Sequence, residues 1–440
     1  MSGARSRTVL RADAMLTPEG PLFDAELVMG ADGRIEYAGR ARAGSAVTHD
    51  LAGHVLMPGL VNGHTHSAMT LLRGTSDDEG FMPWLAAVQA AEQHLTHADV
   101  AAGLELAMLE MIATGTTAFA DMYHWDANLL ERVRIAGMRV LAAPAVFTAD
   151  AVGFPGVSPM TGAEVLAHTE ALARQYAGDP QIKIAFGPHA PYTCPPELLR
   201  EIAERSQRAG IPIHMHVAES AAEVADLTAR YGVTPVAHLH SLGFFTADVL
   251  AAHCVHLTSE EIEVLARAGT SVSHNPVSNL KLGCGVAPLP ELLAAGVRLT
   301  LGTDSAASNN SLDLFEEIRL ATILQRGVRS DAAAVRASDV LDIATRHGAE
   351  AIGFPDTGAL EAGRLADVIA LDVTGYGATP LHSLISHLGF TARGNDVRHV
   401  FIGGRHIYAE GRHLTLDAAQ IISRGRTAAQ RLRDAAARAE

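Results

Sequence analysis

Between about residue 55 and residue 355, short apolar runs alternate with segments whose apolar residues recur every three or four positions. The recurring segments predict amphipathic helices, and several of them end at a glycine, as helices commonly do. The apolar runs predict buried β-strands at 55–63, 116–122, 139–147, 182–187, 211–217, 249–255, 270–275 and 297–303. Strands that are apolar on both faces and alternate with helices are typical of a parallel sheet covered by helices.

Eight such units predict an α/β fold with a (β/α)₈ TIM-like barrel. A doubly wound sheet is the alternative, but no G-x-G-x-x-G follows any predicted strand. The two chain ends instead contain short strands and Gly-containing turns, which predict a small β-sandwich domain built from both ends. We predict an N-terminal part of this small domain (1–57), the barrel (58–357) and a C-terminal part with a terminal helix (358–440).

The composition indicates a large globular protein, since 48% of the 440 residues are hydrophobic and 19% are charged. The formal net charge of −15 disfavours nucleic-acid binding, which needs clustered Lys and Arg, but it allows a small neutral or zwitterionic ligand. Cys194, Cys254 and Cys284 form no C-x-x-C motif and indicate reduced, buried thiols. Neither an apolar signal core nor a run of ~20 apolar residues is evident, so we predict a cytoplasmic protein without a membrane partner.

Ionisable side chains follow five of the predicted strands, at the end of the barrel where function is expected. They are His64 and His66 after the first run, His189 after the fourth, His214, His216 and Glu219 in and after the fifth, His253 after the sixth, and Asp304 after the eighth. Burying so many ionisable groups together is costly without a metal or a substrate. Imidazoles with a carboxylate suit Zn²⁺ or Fe²⁺ better than Ca²⁺ or Mg²⁺. The residues alone do not decide between His214 and His216.

One metal ion is favoured over two. A bridging ligand between two ions would be expected at the end of the fourth strand, where a carboxylated lysine could serve. Lys183, the nearest lysine, lies at the start of that strand, at the opposite end of the barrel.

Several motifs resemble the amidohydrolase superfamily: PGLVNGHTH, GPHAPY, HMHVAE, AAHCVHL, SHNPVSNLKLG and GTDSAASNNSLD. More narrowly, they resemble its methylthioadenosine/S-adenosylhomocysteine deaminase branch, which is related to 5′-deoxyadenosine deaminases and triazine chlorohydrolases. The resemblance extends over nearly the whole chain. It implies one divalent metal ion, with Zn²⁺ expected and Fe²⁺ as the alternative, held by His64, His66, His216 and Asp304. His216 is selected because the family's ligand lies three residues before a glutamate, and we interpret His214 as a core histidine one layer deeper.

The resemblance also implies roles in catalysis. Glu219 would contact the substrate and carry a proton from the attacking water to ring nitrogen N1 of a 6-aminopurine. Asp304 would take the remaining proton of that water and pass it to the departing ammonia. His253 would hydrogen-bond to the attacking oxygen and stabilise the tetrahedral adduct.

Substrate contacts implied by the resemblance are Glu92 on the ribose hydroxyls, His189 on the purine or ribose, and Ser308 on the purine N7. The loop LLRGTSDDEGFMPWL, with Phe81 and Trp84, is interpreted either as an apolar lid or as ordinary packing on the barrel. We expect a small-molecule purine nucleoside as the substrate and a homodimer or homotetramer as the assembly. Alternatives are another heterocycle, such as guanine, cytosine or a triazine, and a non-catalytic scaffold with this fold.

The 5′ substituent of the nucleoside is predicted from the third strand and the segment after it. Family members that use adenosylhomocysteine well offer arginines there, whereas residues 140–173 contain no Arg or Lys and Pro144 stands at one of the expected positions. The segment supplies apolar side chains instead, which are Phe147, Val152, Phe154 and Met160. We therefore expect methylthioadenosine, 5′-deoxyadenosine or adenosine to be preferred over S-adenosylhomocysteine.

Overall fold

The computed structural model describes residues 7–439. Residues 1–6 and 440, which belong to the predicted terminal parts, lie outside the described residues. The strands are β1 (Thr8–Thr17), β2 (Gly20–Met29), β3 (Ile35–Arg40), β4 (His49–Pro58), β5 (Leu60–Thr65), β6 (Thr116–Tyr123), β7 (Arg139–Val146), β8 (Ile182–Ile184), β9 (Gly187–Pro188), β10 (Ile213–Val217), β11 (Val249–His253), β12 (Ser271–His274), β13 (Arg298–Leu301), β14 (Val368–Asp372), β15 (Val397–Ile402), β16 (Arg405–Ala409) and β17 (Arg412–His413).

The α-helices lie mainly between the strands of the central part of the chain. They are α1 (Phe81–Glu92), α2 (His97–Ala113), α3 (Ala127–Ala136), α4 (Gly162–Gln175), α5 (Pro196–Ala209), α6 (Ala221–Tyr231), α7 (Pro235–Ser241), α8 (Ser259–Ala268), α9 (Pro276–Lys281), α10 (Leu289–Ala294), α11 (Leu314–Arg329), α12 (Ala337–Ile343), α13 (Arg346–Ala351), α14 (Leu384–Ser386) and α15 (Ala418–Ala439). Within residues 7–439, none of them is long and apolar enough to cross a membrane.

Side-chain caps and glycines set many helix ends. The side chains of Thr96, Thr161 and Thr258 accept a hydrogen bond from the backbone N–H three residues on, each within a capping box. Such a cap is worth about 1 kcal/mol. Left-handed glycines end several helices, as the sequence predicted: Gly137, Gly210, Gly232 and Gly269.

Parallel strands form the predicted barrel. Their order is β10–β11–β12–β13–β5–β6–β7–β8, with β9 paired to β7. A parallel bridge between Phe186 and Ile213 closes the sheet onto β10. The predicted (β/α)₈ architecture is therefore confirmed, and the ends of its strands meet at one rim.

Two predicted strands are divided by glycines. The run 55–63 becomes β4, in the sheet of the chain ends, and β5, in the barrel, with a break at Gly59; a Cβ there would lie 2.3 Å from the Thr117 side chain. The run 182–187 becomes β8 and β9. A Cβ on Gly187 would lie 2.7 Å from the Pro144 carbonyl oxygen, so only glycine allows this approach of β9 to β7.

Strands from both chain ends form one sheet in the order β17–β16–β15–β14–β4–β1–β2–β3. The antiparallel pair β4–β14, from Val368 opposite Pro58 to Asp372 opposite His54, joins the two ends. The sheet has its own apolar core, which includes Leu56, Val368 and Phe401. The prediction of a small β domain from both ends is confirmed, as one continuous hydrogen-bonded sheet.

A buried ion pair connects this sheet to the barrel. The Arg139 guanidinium, at the start of β7, donates to both carboxylate oxygens of Asp367 at 2.7 and 2.9 Å. The backbone N–H of Gly403 also donates to Asp367 Oδ1. Removing one partner would leave a buried charge unpaired, a change that costs about 3–5 kcal/mol.

The three cysteines are buried and free, as predicted.

Candidate active site

Three histidine side chains converge where β5 and β10 end. His64 is in β5, His66 follows it directly, and His216 is in β10. Their donor atoms all lie within 4.8 Å of one another, and His66 Nε2 lies 3.2 Å from His216 Nε2. The alternating directions of side chains in a strand explain why His64 and His66 reach the same site.

Backbone carbonyl groups orient two of these imidazoles. His66 Nδ1 lies 2.6 Å from the Met122 carbonyl oxygen, and His216 Nδ1 lies 2.7 Å from that of His189. Because a carbonyl only accepts, each Nδ1 carries the proton, and each Nε2 presents its lone pair to the site. Histidines that bind a metal are commonly held in this way through the second ring nitrogen.

His64 presents its Nε2 without a hydrogen-bond partner. That nitrogen is fully buried and lies 3.4 Å from Asp304 Oδ1, while Nδ1 lies 2.8 Å from His214 Nε2. Burial lowers the pKa of His64 to about 3, so the ring is neutral near pH 7. A buried, neutral nitrogen of this kind is costly to leave without a partner, and it is suited to binding a metal ion.

Asp304 supplies an oxygen to the same site. Its Oδ1 lies 3.3 Å from His66 Nε2, and its Oδ2 accepts hydrogen bonds from the hydroxyls of Ser278 at 2.6 Å and Ser308 at 2.7 Å. Burial alone would raise the pKa of Asp304, but the close approach of His64 Nε2 and the other nearby imidazoles hold it well below its usual value. Imidazole nitrogens with one carboxylate oxygen form a donor set that fits a divalent metal ion.

The backbone is left-handed at Asp304 and at His253, with φ of 58° and 73°. Non-glycine residues in this region cost about 1–2 kcal/mol each. Both residues lie at or just beyond the end of a barrel strand, where the bend helps to aim the side chain into the site. Such strain is characteristic of functional sites.

Glu219 lies in the turn between β10 and α6, with its side chain 7% exposed. Burial first, and then the charges of Asp304 and Glu223, raise the pKa of its carboxyl well above the usual value. Its carboxyl therefore holds a proton more readily than a solvent-exposed glutamate does. A buried carboxyl with a raised pKa is suited to proton transfer.

His253, at the end of β11, is the neighbour of Glu219. Its Nδ1 lies 2.8 Å from Asn279 Oδ1 and 3.7 Å from Glu219 Oε1. Burial lowers the pKa of His253, so the imidazole is neutral. The amide N–H of Asn275, 3.3 Å from the same Nδ1, can only donate, and the Asn279 amide also donates when its buried Nδ2, which has no other partner among the described residues, faces the ring; Nδ1 then accepts and the ring proton lies on Nε2.

An apolar cleft leads to these polar groups. Helix α1 contributes Phe81 and Trp84 to one wall, and the segment after β7 contributes Phe147 and Phe154 to another. Glu92, at the end of α1, accepts a 2.6 Å hydrogen bond from Tyr123, and burial raises the pKa of its carboxyl. Four residues at the base of the cleft are His66, His216, Glu219 and Asp304. The site therefore combines a candidate metal centre, a candidate proton carrier and a largely apolar pocket.

Residues 55–407 match the model of the Amidohydrolase family, and this segment contains all the barrel strands. The chain belongs to the amidohydrolase family.

Full-length relatives of this amidohydrolase carry specific names. The 5-methylthioadenosine/S-adenosylhomocysteine deaminase of Syntrophobacter fumaroxidans is 40% identical over 442 residues, which cover 98% of this chain and 100% of that protein. The 5′-deoxyadenosine deaminase of Methanosarcina acetivorans is 41% identical over 405 residues, or 91% of this chain and 92% of that protein. The crystal structure of an adenosine deaminase from Xanthomonas campestris with bound zinc has a TM-score of 0.92 and 34% identity, with 97% and 98% of the two chains covered. A divalent metal in this amidohydrolase is thus supported.

Ser308 occupies a different environment from the one predicted. Its hydroxyl is fully buried, donates to Asp304 Oδ2 and lies 3.0 Å from Ser305 Oγ. Ser308 is not among the described residues that line the cleft. In this amidohydrolase Ser308 hydrogen-bonds to a candidate metal ligand, and its contact with the purine N7 stays a prediction.

Other predicted contacts do line the cleft. Trp84 is buried, and its indole N–H donates to the Ala307 carbonyl at 3.3 Å, so it both packs on the barrel and forms the cleft wall. The predicted loop around it is helical from Phe81 onward. His189 also lines the cleft, its ring 4.9 Å from that of Phe147 and its Nδ1 3.0 Å from Thr193 Oγ1.

The roles of two residues near the site, His214 and Glu223, were not predicted from the sequence. His214 is buried as predicted, but it contacts His64 directly and is therefore part of the support of the candidate metal centre. The carboxylate of Glu223 accepts hydrogen bonds from the backbone N–H groups of Ala218 and Glu219 at 3.1 and 2.8 Å. It holds a turn in which Ala218 has a φ of 51°. The signal in the sequence that could have indicated this role is the position of Glu223, in the first turn of the helix that follows Glu219.

Proposed function

We propose that this amidohydrolase hydrolytically deaminates a 6-aminopurine nucleoside to the inosine analogue and ammonia. The substrates that we expect are methylthioadenosine, 5′-deoxyadenosine and adenosine. The observation that carries the proposal is the presence of a protonatable, buried Glu219 and a neutral His253 beside a metal-binding donor set, at the base of one cleft. The names of the relatives support this choice of substrate class.

The proposed metal ligands are His64, His66, His216 and Asp304, with Zn²⁺ as the proposed ion and Fe²⁺ as the alternative. The prevalence of nitrogen ligands favours these ions over Mg²⁺ and Ca²⁺. When bound, such an ion lowers the pKa of a water molecule to about 7 and so supplies the nucleophile at neutral pH.

Glu219 is the proposed proton carrier. Its raised pKa keeps a proton available for the ring nitrogen N1 of the purine. Protonation of N1 makes C6 more electrophilic, which favours attack by water. After donation, the carboxylate can accept a proton from the attacking water, so that Glu219 is ready for the next transfer.

Asp304 and His253 have complementary proposed roles. Asp304, whose pKa is held low, can accept the remaining proton of the water and pass it to the leaving ammonia. His253 is neutral, and with its proton on Nε2 it can donate a hydrogen bond to the attacking oxygen while charge develops on that oxygen.

The cleft walls have proposed roles in binding. Glu92 accepts the ribose hydroxyls, held in place by the Tyr123 hydroxyl. His189 contacts the purine or ribose, and Trp84 covers the ligand from α1. Burial of these groups favours a substrate that combines an apolar ring with a few fixed hydrogen-bonding groups.

A screen for ammonia release tests the proposal. Adenosine, methylthioadenosine, 5′-deoxyadenosine, S-adenosylhomocysteine, guanine and cytosine are compared at equal concentration with the metal-loaded full chain. We expect release from the adenosine derivatives and none from guanine or cytosine. Release from guanine or cytosine alone, or chloride release from a chlorotriazine without any deamination, would replace the proposed substrate class.

The expected assembly and location remain predictions. A homodimer or homotetramer can be checked by light scattering of the purified chain. The proposed cytoplasmic location can be checked by cell fractionation.

A further inference from the structure

A second group of histidines lies in the sheet formed by the chain ends. His49 and His54 are in β4, His399 is in β15 and His406 is in β16. The ring centroids of His54 and His399 are 5.8 Å apart, those of His399 and His406 5.3 Å, and those of His49 and His406 5.2 Å. The catalytic proposal for the barrel uses none of these residues.

Three side chains of this group bring donor atoms together. His54, His399 and Glu410 each offer one atom, and these atoms lie within 4.8 Å of one another. His399 Nε2 lies 3.3 Å from Glu410 Oε1. Two ligands bound at about 2.0–2.1 Å to a tetrahedral ion lie roughly 3.4 Å apart, so this separation is suitable for a shared ion.

Both histidines are held through their other ring nitrogen. His54 Nδ1 lies 3.0 Å from the Ala52 carbonyl oxygen, and His399 Nδ1 lies 3.2 Å from His406 Nε2. A carbonyl partner also orients His66 and His216 in the barrel, and it fixes the proton of His54 on Nδ1. The His406 ring orients His399 in the same way when its Nε2 accepts the Nδ1 proton, which leaves Nε2 of both histidines for a metal ion.

The topology of the sheet explains how distant residues meet. Strand β14 lies between β4 and β15, and its Ala370 is opposite both His399 and Leu56. Because residues two apart in a strand face the same side, His54 shares this face with Leu56, Ala370 and His399. The small side chain of Ala370 leaves room for the two imidazoles to approach each other across the middle strand.

A tight turn brings in the carboxylate. Glu410 and Gly411 form the two-residue loop between β16 and β17, with φ of 47° and 78°. Loops of this kind favour Gly, Asn or Asp, because both central residues are left-handed. Glutamate is therefore an unfavourable choice for the turn alone, and its carboxylate lies against His399.

We propose that His54, His399 and Glu410 bind a second divalent ion of the Zn²⁺ type, which ties the β16–β17 hairpin to β4. Two imidazoles and a carboxylate suit first-row transition ions better than Mg²⁺ or Ca²⁺. The Glu410 side chain is 60% exposed, so solvent reaches the site and can supply a further ligand. The proposed role of the ion is structural, because it would join the β16–β17 hairpin, through Glu410, to β4, through His54.

The test is the zinc content and thermal stability of the full chain. Protein stripped with a chelator is reloaded with Zn²⁺ and desalted, and bound zinc is measured by atomic emission. Glu410→Gln and His54→Gln are expected to bind about one ion fewer per chain than the wild type, with an unchanged rate of ammonia release. His382→Gln, a change of an exposed histidine from the same terminal region, is the matched control and should bind as much zinc as the wild type.

Two further measurements make the result decisive. Zn²⁺ should raise the Tm of the wild type more than that of Glu410→Gln, because an ion that binds only the folded state stabilises it by mass action. In a His216→Ala background, the zinc that remains should be lost on adding Glu410→Gln. Equal zinc content and equal Tm shifts for the wild type and both single variants would overturn the proposal, whatever the deaminase screen gives, and would leave His399 and Glu410 as a simple ion pair.

Discussion

The barrel site and the histidine group of the terminal sheet use similar parts in different surroundings. In both, imidazoles are held through one ring nitrogen and present the other beside a carboxylate. The proposed barrel ligands are almost fully buried, with His66 the most exposed at 12%, whereas the Glu410 side chain in the turn after β16 is 60% exposed. The comparison separates the features that a metal site needs from those that catalysis needs. If both proposals hold, ligand geometry is enough for metal binding, whereas deamination also needs an enclosed cleft with groups that transfer protons.

The largest expected difference between the regions follows removal of one ligand from each. His216→Ala or Asp304→Ala should lose the barrel ion and reduce ammonia release to background, because each removes a proposed ligand. His54→Gln, the matched change in the sheet, should leave ammonia release unchanged. Bound metal and turnover are measured together for each variant. A His216→Ala chain with full metal content and normal turnover would contradict the ligand assignment.

The proposed proton carrier, Glu219, would distinguish the barrel site from a site that binds an ion for structure alone. Glu219→Gln should retain the metal while kcat falls by at least ~10²-fold, since an amide cannot shuttle a proton. Glu223→Gln is the control for position, because it keeps one acceptor for the turn N–H groups and should cost less activity. Turnover and metal content are the measurements. Near wild-type deamination by Glu219→Gln would refute the proposed role.

The residues that orient the ligands offer a symmetrical comparison. His214→Asn removes the ring that contacts Nδ1 of His64, a proposed ligand in the barrel. His406→Asn removes the ring that contacts Nδ1 of His399, a proposed ligand in the sheet. Loss of such a partner typically costs about 10–100-fold in metal affinity. Each variant should weaken zinc binding at its own site alone, as measured by competition with a chelator of known affinity. Unchanged affinity in His214→Asn would return His214 to the role of a core residue.

The contrast also shows what the sequence could predict. His64, His66 and Asp304 follow apolar runs that are recognisable as barrel strands and His216 lies in another, so a cluster at one rim was predictable from the fold, whereas the choice of His216 over His214 came from the family resemblance. His214 looked like a core residue because its contact with His64 depends on the distance between two strands that are far apart in sequence. The environment of Ser308 depends on the bend at Asp304, which no local pattern records.

The terminal sheet was harder to predict for the same reason. Its short strands indicated a small β domain, but neither the register that sets His54 near His399 nor the left-handed turn at Glu410 was evident. Gly59 and Gly187 similarly divide runs that were predicted as single strands. Glycine is required at these positions because of the close approach of Thr117 and Pro144, which cannot be recognised from the local sequence. The periodicity of apolar residues predicts helices and strands well, whereas contacts between these elements are seen only in the folded structure.

The smallest expected effect is the preference of the cleft for substrates without a carboxylate on the 5′ substituent. Among the described residues, no Arg or Lys lines the cleft, and its outer wall near β7 is formed by Phe147 and Phe154. The carboxylate of S-adenosylhomocysteine would forgo a charge-assisted hydrogen bond worth about 1.5–3 kcal/mol, or one to two decades in kcat/KM. A 5′-methylthio or 5′-methyl group would lose nothing and gain burial, at about 0.8 kcal/mol per CH₂-sized group.

We therefore expect methylthioadenosine or 5′-deoxyadenosine to exceed S-adenosylhomocysteine by about tenfold or more in kcat/KM, with adenosine between them. The control is S-adenosylhomocysteine with its carboxylate converted to a methyl ester, which should recover part of the difference if the unpaired charge is the cause. The rates of ammonia release at subsaturating substrate give the ratios directly. Equal kcat/KM for methylthioadenosine and S-adenosylhomocysteine would mean that a cation from outside the described cleft reaches the carboxylate, and the apolar reading of the wall after β7 would then be wrong.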